Sequence, residues 1–333
     1  MGVIVAMHAP DGFLDPSVAV VTAILSLAIL GDCLSKCSGE LQDHQIPLAG
    51  VSAAFIFSAQ MFNFPVAAGT TGHLLGGALA AVLLGPYLGS LVVAIVVVVQ
   101  AFLFADGGIS ALGYNLLNMA IVPAFGGWAM FVLARKVLPA NRSGVVVAAG
   151  LASAASVVAA SVAFSIEWLF GASAPVPFDT VFSAMVGVHA LIGIGEGVVS
   201  AMVVAGVLAS RPDLVAGASD LELSQLENPA PIGLRAFVLG GVLLAAVLGA
   251  VVSQFAFDDP DGLERVAIDN GFMDSAANHW FGGSLFADYA TRGIGNERLS
   301  LAVAGLAGAA LALVVAYGMF AAARWPRLQR GSV

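Results

Sequence analysis

Long apolar runs separated by short polar joints dominate the chain. A bilayer-spanning helix needs about 20 mostly apolar residues. Nine such runs occur, at roughly 17–32, 45–61, 71–84, 86–104, 111–135, 144–170, 180–209, 234–257 and 298–324. The third is short, and Asn115 and Asn118 interrupt the fifth. Short or polar-broken segments at membrane depth tend to line a site rather than face lipid. Two polar stretches break the alternation. Residues 211–233, with Arg211, Asp213, Glu222, Glu227, Pro229 and Pro231, read as a cytoplasmic linker. Residues 258–297 read as a large extracytoplasmic loop. The pattern predicts an all-α polytopic membrane helix bundle of about nine spans. A seven-span body covers 7–210, and a two-span hairpin covers 234–324.

Charge placement gives the expected orientation. With the N-terminus outside, Lys36, Arg135, Lys136, Arg142, Arg211, Arg235, Arg324, Arg327 and Arg330 all fall inside. Only Arg265, Arg292 and Arg298 fall outside, in or beside one long loop. The excess of inside Lys and Arg predicts an N-out, C-in topology. Composition agrees with a membrane class, at 59% hydrophobic and 10% charged residues; soluble domains are nearer one quarter charged. A net charge of −9 argues against nucleic acid as a partner. Cys33 and Cys37 read as a reduced loop pair on the cytoplasmic side, because two ligands alone make a poor soft-metal site.

Polar and ionisable groups at membrane depth are costly and usually functional, and four clusters of them stand out. The first is Met7-His8-Ala9-Pro10-Asp11-Gly12-Phe13-Leu14. If Met7 is the first residue, its amine, the His8 amide nitrogen and the His8 imidazole can close two chelate rings around one ion. Planar nitrogen ligands favour Ni(II) or Cu(II). The second is Asn63-Phe64-Pro65 followed by Gly69-Thr70-Thr71-Gly72-His73. His73 is expected to open the third span on the same side as His8. Alone it reads as a packing histidine; with His8 beside it, a shared ion is favoured.

The third cluster is Phe104-Ala105-Asp106-Gly107-Gly108 with Asn115 and Asn118. Asp106 is either a carboxylate backing a metal ligand or a turn former. Asn115 and Asn118 share a helix face, where they either tie loops together or bond neighbouring helices. The fourth is His189 through Gly197, with His189 and Glu196 two turns apart on one helix face. Such a pair can serve a metal or a proton, or simply hold the bundle together. There is no P-loop, no H-E-x-x-H and no G-x-S-x-G, so the chain reads as a non-enzyme that would draw energy from partners or an ion gradient.

These four motifs, in this order over residues 7–210, resemble the CbiM/NikM family, the substrate-binding membrane subunits of energy-coupling factor (ECF) nickel and cobalt transporters. The tail, with Pro260-Asp261-Gly262-Leu263-Glu264, resembles the PDGLE/CbiN-type small subunit, here fused to the body. The resemblance implies a multi-pass protein of a prokaryotic cell membrane whose transported substrate is Ni(II) or Co(II). It implies that Met7, His8 and His73 hold the metal. Within the same motifs, Asp11, Asn63, Thr70, Asp106, Asn115, Asn118, His189 and Glu196 are read in support or loop-ordering roles. The resemblance also implies two partners: a transmembrane coupling protein of CbiQ/NikQ type and an ATP-binding-cassette ATPase of CbiO/NikO type.

The family begins at the methionine before the histidine, whereas here Met1 to Ala6 come first. A free amine at Met7 therefore requires translation from Met7 or removal of the extension. The Pro-Asp-Gly after His8 leans towards nickel-type members. The alternative function is a secondary divalent metal carrier that needs no ATPase. That carrier would predict a charged pathway through the bundle, yet only His189 and Glu196 sit deep. An intramembrane metalloenzyme built on the same pair would lack a third ligand.

Overall fold

The computed structural model describes residues 8–67, 69–221 and 232–328. All nine apolar runs contain helix, although the third is helical only from Gly77. Among the described residues, seven helices are long and apolar enough to cross a bilayer. α1 (Pro16–Glu40) starts on Pro16, whose fixed φ and missing N–H suit a first helical position. α2 spans Gln45–Gln60. An antiparallel hairpin follows, β1 (Phe64–Ala67) and β2 (Thr70–Gly72), with Phe64 opposite Gly72. Then come α3 (Gly77–Leu84) and α4 (Pro86–Val99), the latter extended by a π turn over Gln100–Phe104. The fifth run is α5 (Leu112–Asn115), a π turn over Leu116–Ile121, and α6 (Val122–Arg135). α7 (Arg142–Gly171) starts where the Asn141 side chain accepts the Gly144 amide at 2.9 Å. α8 (Phe178–Ser210) packs along it. The second polypeptide region adds α9 (Leu234–Ala250), a short helix α10 (Gly262–Asp269) and α11 (Glu297–Leu328).

Two expected spans fall short. α2 has 16 residues, which at 1.5 Å per residue is about 24 Å against a hydrocarbon core of about 30 Å. α3 has eight and crosses about 12 Å. The third run fails as a full helix because residues 70–76 are spent on β2 and an extended entry. Gly76 takes φ 78°, and the Glu196 carboxylate accepts the Leu75 and Gly76 amides at 2.7 and 3.1 Å. A carboxylate on α8 thus anchors the point where α3 begins. Cys33 and Cys37 lie on α1 rather than in a loop.

α4 is the central post, buried among α1, α2, α3, α6 and α11. α9 and α11 lie against α2, and α11 buries Ala304, Ala312, Ala316 and Phe320. The outer faces of α1, α8 and α9 are apolar, with Leu27, Ile194 and Leu239 well exposed. In a bilayer those faces meet lipid. The stretch expected as a linker begins by packing. Pro212–Leu214 and Ala216–Ala218 form 3₁₀ turns that bury Leu214, Val215 and Ala218, because these apolar side chains find cover against the bundle end.

One end of the bundle collects the polar loops. Leu14 bridges to Ala172, Phe257 donates its amide to the Asn63 carbonyl at 3.1 Å, and Thr71 donates its amide to Pro260 at 2.9 Å. Lys36, Arg135, Arg142, Arg211 and Arg324 lie towards the other end.

Candidate metal site

The N-terminal loop is held by the loop between α4 and α5. Asp11 Oδ1 accepts the Ser110 amide and hydroxyl, each at 2.6 Å, and the Ala111 amide at 3.3 Å. Asn115 grips Ala9 from both sides: its Nδ2 donates to the Ala9 carbonyl at 2.9 Å, and its Oδ1 accepts the Ala9 amide at 3.2 Å. Tyr114 donates its hydroxyl to the Pro10 carbonyl at 3.0 Å. Gly107 has φ 81°, and a Cβ there would sit 2.8 Å from His8 Cβ. The loop can press on His8 this closely because that residue is glycine.

These contacts place the His8 ring beside that of His73, with centroids 5.9 Å apart. A metal–imidazole bond is roughly 2.0–2.1 Å long, so an ion stands about 3.2 Å from each ring centre. Two imidazoles on one ion therefore have centroids no more than about 6.4 Å apart. The observed separation lies inside that limit. Both rings border a cavity of about 80 Å³, shared with Asn115, Asn118, His189 and Asp261. His8 is 3% exposed, and among the described residues neither ring nitrogen has a hydrogen-bond partner. Burying an unpaired imidazole nitrogen is unfavourable. An ion would satisfy it. His73 Nδ1 lies 3.1 Å from the Leu74 carbonyl oxygen, so a proton there would leave Nε2 to face the cavity.

Two carboxylates flank the rings. Asp106 Oδ1 is 3.8 Å from His8 Nδ1, and Asp261 Oδ2 is 3.8 Å from His73 Nε2. Burial is the main effect lowering the His8 pKa, opposed by the Asp106 carboxylate. Burial likewise pushes the Asp261 carboxyl up, against the pull of His73. Glu264 rises to about 7, mainly through burial. Among the described residues no three His, Cys, Asp or Glu side chains converge as a metal group. An ion between the two rings would need other atoms, such as backbone or terminal nitrogens.

The expected supporting residues divide by position. Asn118 and His189 line the cavity. Asn118 Nδ2 donates to Glu167 at 2.6 Å, and His189 Nδ1 lies 2.8 Å from the Met185 carbonyl. Asp11, Asn63, Thr70 and Glu196 do not line it. Asn63 and Thr70 belong to the β-hairpin segment, with Thr70 opposite Ala67. Met7 lies outside the described residues.

The sequence leads one to expect the external loop of the second region to help seat the N-terminal loop, but it does not single out the residues that do so. Tyr289 donates its hydroxyl to Asp106 Oδ2 at 2.6 Å and accepts from Gln100 Nε2 at 3.0 Å. His279 Nε2 lies 3.1 Å from the Gly107 carbonyl, and the Ala277 amide donates to the Asp11 carbonyl at 2.7 Å. Phe272 packs on both Phe13 and Trp168. One signal was present: Pro260-Asp261-Gly262 repeats the Pro10-Asp11-Gly12 tripeptide.

Comparisons with known proteins identify the family. The family described as "Cobalt uptake substrate-specific transmembrane region" matches residues 8–214, and the PDGLE domain matches 235–324. A putative fused nickel transport protein NikMN of Archaeoglobus fulgidus is 34% identical over 320 residues, 96% of this chain and 99% of its own. A cobalt transport protein CbiM of Geobacter sulfurreducens is 27% identical over 278 residues, 80% of this chain and 79% of its own. A crystal structure of a truncated transition metal transporter superposes with a TM-score of 0.53 at 30% identity, over 60% of this chain and 98% of that one. The chain is therefore a multi-pass integral membrane protein of the CbiM family that carries a PDGLE domain in the same polypeptide.

Proposed function

We propose that this chain is the substrate-specific component of an ECF-type importer, taking Ni(II) or Co(II) from outside the cell and releasing it inward. One observation carries the reading: two buried imidazoles, His8 and His73, border one cavity at a separation that a single ion can bridge. The backbone of the Met7–His8 segment and an amine at Met7 would complete a nitrogen-rich set. Such a set suits late first-row divalent ions. The relatives named for nickel and cobalt transport point to the same substrates.

In this reading residues 7–210 bind the metal, 211–233 join the parts and 234–324 support the site. The end with the histidines faces outside, because Lys36, Arg135, Arg142, Arg211 and Arg324 gather at the other end. The chain does no chemistry of its own. A transmembrane coupling protein of CbiQ/NikQ type and an ATPase of CbiO/NikO type would drive release.

Uptake of radioactive nickel or cobalt tests the reading, in cells lacking their own importers. Wild-type chain with both partners should accumulate metal, and His8→Ala or His73→Ala should reduce uptake to background at normal membrane levels. Silencing the partner ATPase should do the same. Full uptake by either histidine variant, or without the ATPase, overturns the reading.

A further inference from the structure

We infer that the loop over residues 280–285 is an interfacial membrane anchor, which seats the PDGLE region in the bilayer leaflet at the histidine end. Nothing in this depends on an ion between the histidines. The stretch 258–297 is polar and charged, yet residues 275–287 within it contain no Asp, Glu, Lys or Arg and hold Trp280, Phe281, Leu285 and Phe286. Trp280 is 74% exposed and Leu285 55%, with Phe281 exposed between them. Apolar side chains clustered on a surface mark a place where something binds.

The position of the loop says what that is. α4 with its π turn, Pro86–Phe104, is long and apolar enough to cross a bilayer. Near the end of this span Val98 and Phe102, four residues apart, share an exposed face. The loop rests on that end. The Phe281 ring packs on Phe102 with centroids 5.6 Å apart, and the Ser284 hydroxyl donates to the Leu103 carbonyl at 2.9 Å. The apolar surface of the loop therefore continues the lipid-facing surface of a span, where that span leaves the hydrocarbon. Tryptophan concentrates at this depth, because its ring is apolar while its N–H still reaches headgroups or water. A charged side chain there would be costly, in keeping with the uncharged stretch. Nor is the loop exposed through lack of packing. Phe286 stacks on Phe104 with centroids 5.5 Å apart, and Arg292 donates its amide to the Leu285 carbonyl at 2.9 Å and its Nη1 to the Gly283 carbonyl at 3.2 Å. His279, the neighbour of Trp280, lies 3.1 Å from the Gly107 carbonyl. The seat in the bilayer is thus joined to the loop that presses on His8.

The test is tryptophan fluorescence of the full chain in phosphatidylcholine nanodiscs. The chain has four tryptophans, so the Trp280 signal is the difference between wild type and Trp280→Phe. An exposed side chain tolerates that change, and Trp280→Leu gives a second subtraction. Lipid brominated high on its acyl chains should remove most of this emission, lipid brominated near the chain ends less, and aqueous iodide little. Strong quenching by iodide with neither lipid effective places Trp280 in water and overturns the anchor. Protection from all three quenchers means that protein, such as a second copy of this chain, covers the ring, and it overturns the anchor as well. Stronger quenching by the chain-end label places the ring deep in the hydrocarbon and overturns an interfacial seat.

Discussion

The two ends of the bundle treat their charges in opposite ways. Around the histidine rings, two buried carboxylates are bonded to loops far away in the chain: Asp11 to Ser110, 99 residues on, and Asp106 to Tyr289, 183 residues on. At the other end the acidic partners are mostly exposed, and several pairs are local. Lys36 meets Asp32 one turn away at 2.7 Å, and Arg211 meets Asp213 two residues away at 2.6 Å. Arg324 pairs with Asp43. A buried polar group must find its partner or destabilise the fold, so the histidine end is specified contact by contact. An exposed ion pair is worth about 0–1 kcal/mol. The other end therefore carries the sign of charge that orients a membrane protein more than it carries a geometry.

The largest break in this contrast is expected from Asp11→Ala. One oxygen holds two amides and a hydroxyl of the α4–α5 loop. Bonds to a charged acceptor are worth about 1.5–3 kcal/mol each, and orphaned donors add a penalty. A loss of about 3 kcal/mol in loop order becomes about 100-fold in apparent metal affinity, at 1.4 kcal/mol per decade. Isothermal titration with Ni(II) checks it. Wild-type affinity would mean that the loop holds His8 without this carboxylate.

The same contrast explains what could be read from the sequence. His8, His73, Asn115, Asn118 and Glu196 are conspicuous because each interrupts or borders an apolar run, where a polar group needs a reason. Glu167 has the same visibility beside Trp168. Asp261 and Tyr289 sit in a polar loop of about 40 residues, where an Asp or a Tyr is no anomaly. Only the fold brings that loop over the N-terminal segment. The helices themselves follow from run length, except α3. There the apolar run conceals a break set by Glu196, a residue 120 positions away from Gly76. Local pattern cannot register a cap supplied from another helix.

Tyr289→Phe is expected to act next most strongly. It removes one hydroxyl that both donates to Asp106 and accepts from Gln100. The ring stays packed against Phe57 and Phe104, so the change is confined to the hydrogen bonds. A bond to a charged group is worth about 1.5–3 kcal/mol, less what rearrangement recovers. Metal affinity should drop roughly 5- to 30-fold with the protein still folded. A variant that binds as tightly as wild type would show that Asp106 keeps its place beside His8 without help from the second region.

The smallest effect should come from the opposite end, with Asp220→Ala. Asp220 is exposed and pairs with Arg135 Nη2 at 3.0 Å. Arg135 keeps a second anchor, because its Nη1 donates to the Pro139 carbonyl at 2.8 Å. The arginine therefore stays in place when the carboxylate is gone. The lost pair is worth less than about 1 kcal/mol, which moves a melting temperature by no more than about 2–4 °C in a chain of this size. Metal affinity should not change, since no bond links Asp220 to the histidine end. A several-fold loss of affinity in this variant would break the comparison outright: it would mean that α6, which runs from the π turn beside Asn118 to Arg135, transmits the state of one end to the other.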